Sequence, residues 1–316
     1  MLEVSTTEVS TTPGGLTMTT QSPRSGRPRA VTVVTVAVAV VLALLTGCAG
    51  DDDGTTTPSP GGTSSPGPST SGPSTPSPST APITVPVYYA TDNGTDLRLV
   101  REFRSLPDAG GPALTAARGV LAGDALDPDY VGLWDPAGTV LAVNPATPIE
   151  VDLSAAATTT TTGSAGAVLA VQALVYAVTG ALQSDAPVRI LVEGEPVDEL
   201  FGVLDVSEPI ARADPISVRL LVQINDPNEG DVVGSPVTVS GEAAVFEATL
   251  PWRIESPGGD VVQAGVTQTA EGQTFAPFAF DVTLDPGAYV VVITEDDPSD
   301  GAGGPLDTDS RGFVVE

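Results

Sequence analysis

Lysine and histidine are absent from these 316 residues, and cysteine occurs once, at Cys48. Without histidine there is no Ser/His/Asp triad and no imidazole base, and a lone cysteine leaves no Cys/His zinc site and no internal disulfide. Without lysine there is no Schiff base and no phosphate-loop lysine. The routes to catalysis that survive are a carboxylate pair, as in glycosidases, or an all-oxygen metal site. Composition therefore argues against an enzyme, and no cofactor is expected.

Acid is plentiful. All twelve basic residues are arginine, against 40 Asp and Glu, for a formal charge of −28. Residues 1–47 hold Arg24, Arg27, Arg29, Glu3 and Glu8, so the chain beyond them keeps nine arginines against 38 acids. Such a surface repels phosphate backbones and anionic headgroups. Nucleic acid is excluded as a partner, and any membrane attachment must come from something other than charge.

That attachment is written near the start. Three arginines precede an apolar run from Ala30 to Leu45, which ends in Leu45-Thr46-Gly47-Cys48. A basic segment, a short apolar segment and a small-residue cut site make a secretory signal over 1–47. The run falls short of the ~20 residues a permanent span requires. Met18 offers a second start that leaves a signal of ordinary length. The four residues at the cut resemble the bacterial lipobox, whose cysteine is acylated and becomes the mature N-terminus. Cys48 is thus the expected lipidation site, and the membrane is reached through an N-terminal lipid at the extracytoplasmic face.

After Asp51-Asp52-Asp53, residues 54–82 are almost wholly Gly, Thr, Ser and Pro. Such a tract buries too little apolar surface to offset its ordering entropy. Residues 48–82 are therefore expected to be a lipidated cysteine and a disordered tether, long enough at about 3.1 Å per residue to reach roughly 100 Å. The rest divides near Ala213-Asp214-Pro215, into 83–213 and 214–316.

In 83–213, Val85–Tyr89 and Leu97–Phe103 flank Asn93-Gly94, a hairpin signal. Pro112–Ala122 reads as a helix with proline at its first position and Gly123 as its stop. Thr139–Val143 and Pro148–Leu153 read as strands, Ala157–Gly166 as a Thr-rich loop, and Ala167–Gln183 as a helix with Leu169, Ala173, Tyr176 and Gly180 on one face. Val188–Val192 and a shorter strand near Val197 follow. The order β-β-α-β-β-α-β-β predicts an α+β domain, a mixed sheet with two packed helices. In 214–316, alternating runs at Val218–Ile224, Val237–Ala243, Ala248–Glu255, Val261–Thr269, Phe278–Leu284, Ala288–Thr294 and Gly312–Val315 predict an all-β sandwich. Val239, Leu250, Trp252, Ile254, Phe280 and Tyr289 are its expected core.

The residues also carry a resemblance. Val87-Tyr88-Tyr89 with Asp92, Val100-Arg101-Glu102-Phe103-Arg104, Ala113-Leu114 to Leu121-Ala122-Gly123, Val151-Asp152-Leu153-Ser154, Val188–Gly194 and Pro209-Ile210-Ala211-Arg212 resemble the GerM-type sporulation and spore germination domain. The segment after the first helix departs from that pattern, with Gly123-Asp124 and Asp135-Pro136-Ala137-Gly138 in place of a Gly-Pro and an Ile-Pro-Gly turn. Ile224 and Pro227, Gly230-Asp231-Val232-Val233, Ser235-Pro236, Val239–Ala243, Phe246-Glu247, Gly259–Val262, Pro277-Phe278 and Asp300-Gly301 resemble the immunoglobulin-like domain of bacterial spore germination. The resemblance implies envelope lipoproteins of sporulation, germination or membrane-complex assembly, with binding surfaces rather than active sites.

Four sets of residues invite a sharper reading. Glu295, Asp296, Asp297, Asp300, Asp307 and Asp309 could chelate calcium, but they lack EF-hand spacing, and acidic loops are usually just solvated. Glu193, Glu195, Asp198 and Glu199 read as a charged rim guarding a sheet edge. Glu247 reads as a strand-end carboxylate rather than a general acid, and Trp134 and Trp252 read as packing residues rather than sugar platforms. Only Cys48 is taken as a site. The expected function is a non-catalytic lipoprotein, a protein-interaction or scaffold module whose partners are other envelope proteins, with contact to the cell wall. The alternative is a lipoprotein that binds wall glycan or a solute.

Overall fold

The computed structural model describes residues 81–159, 163–297 and 305–316. Cys48, the expected signal segment and nearly all of the expected tether lie outside the described residues, as does Asp300.

The first domain opens with an antiparallel hairpin, β1 (Pro82–Asp92) and β2 (Leu97–Pro107), in register along its whole length. Its turn is set by Asn93, whose side-chain Oδ1 accepts from the backbone N–H of Thr95 and Asp96, an Asx turn of the kind that Asn-Gly favours. Helix α1 spans Pro112–Ala122, as its proline and glycine predict, and Gly123 closes it in the left-handed conformation at φ 64°. β3 (Val140–Asn144) and β4 (Ile149–Leu153) pair antiparallel. A 3-10 turn at Ala155–Thr158 occupies the start of the expected Thr-rich loop.

Helix α2 (Ser164–Leu182) starts three residues earlier than its pattern suggested and ends on Gln183 in the left-handed region. It differs from expectation in its faces. From Gly166 to Thr179 every residue but Val168 is buried, so the helix is sunk in the domain rather than lying on one apolar side. Among the described residues it is the helix long and apolar enough to cross a membrane, and 72 % of that window is buried in the protein. β5 (Val188–Val192) returns parallel to β4, and Glu193 and Gly194, at φ 52° and 83°, turn it into β6 (Glu195–Pro196). β7 (Glu199–Leu200) and β8 (Leu204–Asp205) form a small ribbon.

A short helix α3 (Pro215–Val218) follows, with the Asp214 carboxylate accepting from the Ile216 N–H and Pro215 in the first turn. This displaces the expected strand at Val218–Ile224 to β9 (Val222–Asp226). Val218 and Leu220 pack in the first domain's core. The sandwich continues with β10 (Asp231–Val233), which no pattern foretold, β11 (Val237–Ala243), β12 (Thr249–Glu255), β13 (Val261–Gln268), β14 (Ala276–Val282), β15 (Gly287–Thr294) and β16 (Thr308–Val315).

Two sheets face each other, in the orders β10-β16-β15-β12-β13 and β14-β11-β9. Of the expected core, Val239, Leu250 and Ile254 are fully buried, while Trp252, Phe280 and Tyr289 are partly buried against it. Trp252 stacks on Phe280 at 4.6 Å, across the two sheets. Trp134 is buried in the first domain, where its indole N–H donates to the Ala170 carbonyl at 3.0 Å and its ring meets Phe201 edge-on. Both tryptophans are packing residues.

Candidate functional site

The densest chemistry in the described residues lies at the seam between the two domains. β16 carries Asp309 and Arg311 inward at alternate positions, and the first domain answers with Asp127 and Tyr130. The Arg311 guanidinium donates to Asp127 Oδ2 at 2.6 Å, to Asp309 Oδ1 at 2.8 Å and to the Tyr130 hydroxyl at 2.6 Å. Its plane lies 4.8 Å from the Tyr130 ring centroid. Tyr130 donates in turn to Asp309 Oδ1 at 2.7 Å, and Asp309 Oδ2 accepts the Ile224 N–H at 2.6 Å. Arg311 is 2 % exposed and Asp127 3 %.

Burial dominates the titration of this cluster. It pushes Asp127 up to about 6, with Arg311 pulling down and the Asp309 charge pushing up. Burial also holds the Tyr130 phenol well above its ordinary value, reinforced by Asp309. For Arg311 burial acts downward, but Asp309, Tyr130 and Asp127 outweigh it and raise the guanidinium further. A carboxyl near 6 is the kind of group a general acid needs. Here both its oxygens are engaged, Oδ1 by the Asp129 N–H and Oδ2 by Arg311, so Asp127 is a joint rather than a reagent.

A second group ties the seam a few residues away. Asp307 accepts from the Asn93 side chain at 2.7 Å and from the Leu221 N–H at 2.7 Å. The Glu242 carboxylate on β11 lies 3.0 Å from Arg101 and also binds Arg219. Burial would raise Glu242, but Arg219 and then Arg101 pull it below the ordinary glutamate value. Leu220 N–H donates to the Leu99 carbonyl at 2.9 Å, and Gln223 donates to the same oxygen at 3.2 Å.

Beside this group opens a cleft of about 450 Å³. Arg101, Arg212 and Arg219 line it with Tyr88, Phe103 and Tyr176. Arg212 is held by a 2.6 Å bond from its Nε to Thr179 Oγ1 and lies 5.3 Å from the Tyr176 centroid. The Nε groups of Arg101 and Arg219 are buried without an acceptor.

The acidic residues singled out in the sequence are thus divided. Asp307 and Asp309 face inward and bind backbone, Asn93, Tyr130 and Arg311, and Glu295 accepts the Asp307 N–H at 2.9 Å. Among the described residues no group of His, Cys, Asp or Glu is arranged to hold a metal ion. Glu193, Glu195, Asp198 and Glu199 are exposed at the β5–β6 turn and beyond it, as a rim would be. Glu247 is no strand-end residue: it sits in a 3-10 turn at Phe246–Ala248, exposed, at φ 53°. Sequence reasoning passed over Arg311, Asp127 and Tyr130; the one available signal was a lone arginine within an alternating run in a chain short of cations.

Residues 86–198 match the family profile described as sporulation and spore germination, and residues 221–302 match that of the immunoglobulin-like domain of bacterial spore germination. No curated protein matches the chain. Among solved structures, the tandem GerMN domains of the sporulation protein GerM from Bacillus subtilis are 14 % identical over 64 % of this chain and 62 % of that one, with a TM-score of 0.36. CopC from Methylosinus trichosporium OB3b is 23 % identical over 30 % of this chain and 93 % of its own, with a TM-score of 0.24. The chain spans less than two thirds of the GerM structure, and neither likeness is close enough to carry an argument about function. The two family descriptions name a process and no reaction. The chain carries a sporulation and spore germination domain followed by an immunoglobulin-like domain of bacterial spore germination.

Proposed function

We propose that this chain is a non-catalytic lipoprotein, anchored through acylated Cys48 at the outer face of the cytoplasmic membrane. Its two domains act there as one protein-interaction module in sporulation, germination or the assembly of an envelope complex. The observation that carries this reading is how the chain spends its scarce cations: Arg98, Arg101, Arg219 and Arg311, four of the nine beyond the signal segment, bind at the seam. Groups that could do chemistry are used to hold two domains in one fixed arrangement, which suits presentation of a surface. The test is crosslinking in cells, with the wild type beside Cys48→Ser. One discrete envelope protein, captured by the wild type and lost with the anchor, is the expected result. Capture of wall glycan alone would defeat it.

The cleft in which Arg212 stands beside Arg101 and Arg219, both of these held by Glu242, favours a second reading, a lipoprotein that binds an anionic solute or wall fragment. A guanidinium stacked on Tyr176 and fixed by Thr179 is preorganised for a carboxylate. Calorimetric titration of citrate or a muropeptide into the chain would then give a saturable heat that is lost in Arg212→Ala.

A further inference from the structure

A sheet edge presents unpaired backbone N–H and C=O groups, and proteins guard such edges with charge, proline, shortness or cover. The described edges obey this with one exception. β10 is three residues long, and β6, β7 and β8 are two each. β3 has five residues and a register break between Val140 and Ala142. β14 carries Pro277 and Asp281, and β9 is covered by the first domain through Gln223 and Leu99. In the hairpin, β1 carries Pro82 and Pro86, and β2 carries Arg98, Arg101, Glu102 and Arg104.

The exception is β13, the last strand of its five-stranded sheet. Its eight residues, Val-Val-Gln-Ala-Gly-Val-Thr-Gln, include no charge and no proline. Gly265 pairs with Trp252, and a Cβ there would meet the indole at 2.5 Å, so Gly265 lies on the face turned toward the core. Alternation then puts Ala264 and Val266 on the outer face, and Val262 stands at the register shift opposite Glu255. Val262 is 51 % exposed and Val266 63 %. Its first residues meet a register shift opposite Glu255, but Gln263 to Gln268 pair without a break, and those six residues carry neither charge nor proline, a liability unless something uses them.

The ends of the strand say what fits. Asp260 precedes it at one end, where Glu255 on β12 is already held by Arg253. At the other, the Thr269 N–H bonds to the Ala248 carbonyl, next to Glu247, and Glu271 follows. We propose that the outer edge of β13 is a strand-addition site, whose occupant is an extended partner segment with β-branched residues at its centre and arginine or lysine at both ends. Backbone bonds to β13 supply the grip and the acidic ends supply the register. A second copy of this chain is a poor occupant, because antiparallel self-pairing sets Asp260 against Glu271 and Glu247, like against like. This deepens the interaction reading above and rests on it.

The experiment places a photo-crosslinking amino acid at Val262 or Val266 of the full chain in cells, with Ala279 on β14 as the control, and sequences the captured partner peptide. The expected peptide is an extended β-branched segment with basic flanks. Its capture at Val266 should fall at least tenfold in Val262→Lys and in the doubly reversed Asp260→Lys/Glu271→Lys, each checked for an unchanged melting temperature. Capture of this chain itself, of a peptide without basic flanks, or a yield unmoved by those changes overturns the proposal. If Val262 and Val266 capture nothing while the chain still captures its neighbour elsewhere, the strand-addition site falls and the interaction module stands. If no position captures a protein, both fall.

Discussion

Arg311 is 2 % exposed and binds two carboxylates and a phenol. Removing one partner from a buried ionic set leaves the others desolvated and unpaired, which typically costs about 3–5 kcal/mol. Arg311→Leu is therefore expected to lower unfolding stability by that order, measured by urea titration. Asp127 gives the same cluster a pH dependence. Its folded value, about 6, lies above the unfolded one near 4, so the native state binds the extra proton and stability falls as pH rises between those values. The loss amounts to roughly 2–3 kcal/mol and is complete above the folded value. Asn at 127 does not titrate, so the melting temperature of Asp127→Asn relative to wild type should climb from pH 4.5 to pH 7.5. A flat difference would remove Asp127 from the account. None of this was legible in the sequence. Asp307 and Asp309 look like any acids of a polar loop until the fold sets Asn93, Tyr130 and Arg311 opposite them, and pairings across some 180 positions leave no local trace.

The elements themselves were far more legible. Pro112 and Gly123 bracket α1 because each solves a local problem, the N–H that the first turn cannot use and the left-handed closure of the last. Alternation located β11 and most of its neighbours, since each sandwich strand has one wet and one dry face. Depth was less visible: α2 is apolar nearly all round, so its period says little about which side is buried. The strand expected at Val218 failed because Asp214 and Pro215 build a helical turn first. Pairing direction was hidden too, as in the parallel match of β10 with β16. Within β11, Gly241 sits at the register shift against β9, and a Cβ there would come within 2.1 Å of the Gln223 carbonyl oxygen and 2.5 Å of the Phe278 ring. Backbone cannot yield as a side-chain tip does. Gly241→Ala should cost about 1–3 kcal/mol, read from thermal unfolding, whereas Gly258→Ala, where the nearest atom stands at 3.6 Å, should be nearly neutral.

For the whole molecule, the seam decides whether two domains move as one. Its bonds come from both ends of the second domain, Arg219 to Gln223 and Asp307 to Arg311, and from the Asn93 turn, β2 and the Asp127–Tyr130 turn of the first. Residues 83–316 should therefore tumble as one body, with a single correlation time in amide relaxation. Arg311→Leu combined with Glu242→Gln should split it into two. Buried bonds of this kind are little affected by salt, while repulsion among the surface acids is screened by it. Raising salt from 20 to 300 mM should thus raise the melting temperature of the wild type, and a fall would mean that exposed ion pairs dominate.

β16 lies beyond the residues that match the immunoglobulin-like family, yet it stands between β10 and β15 and carries the seam's arginine. The consequence is one of time. A chain delivered N-terminus first presents Asp127 and Tyr130 long before Arg311 arrives, 184 residues later in the first case. Until then the first domain can gather its helices and hairpin, but its two buried polar groups have no guanidinium to meet. Closing so long a loop is slow compared with forming a hairpin or a helix. The join between the domains is accordingly a late event, and a newly delivered chain passes through an interval in which its strands have formed but its two halves still swing freely.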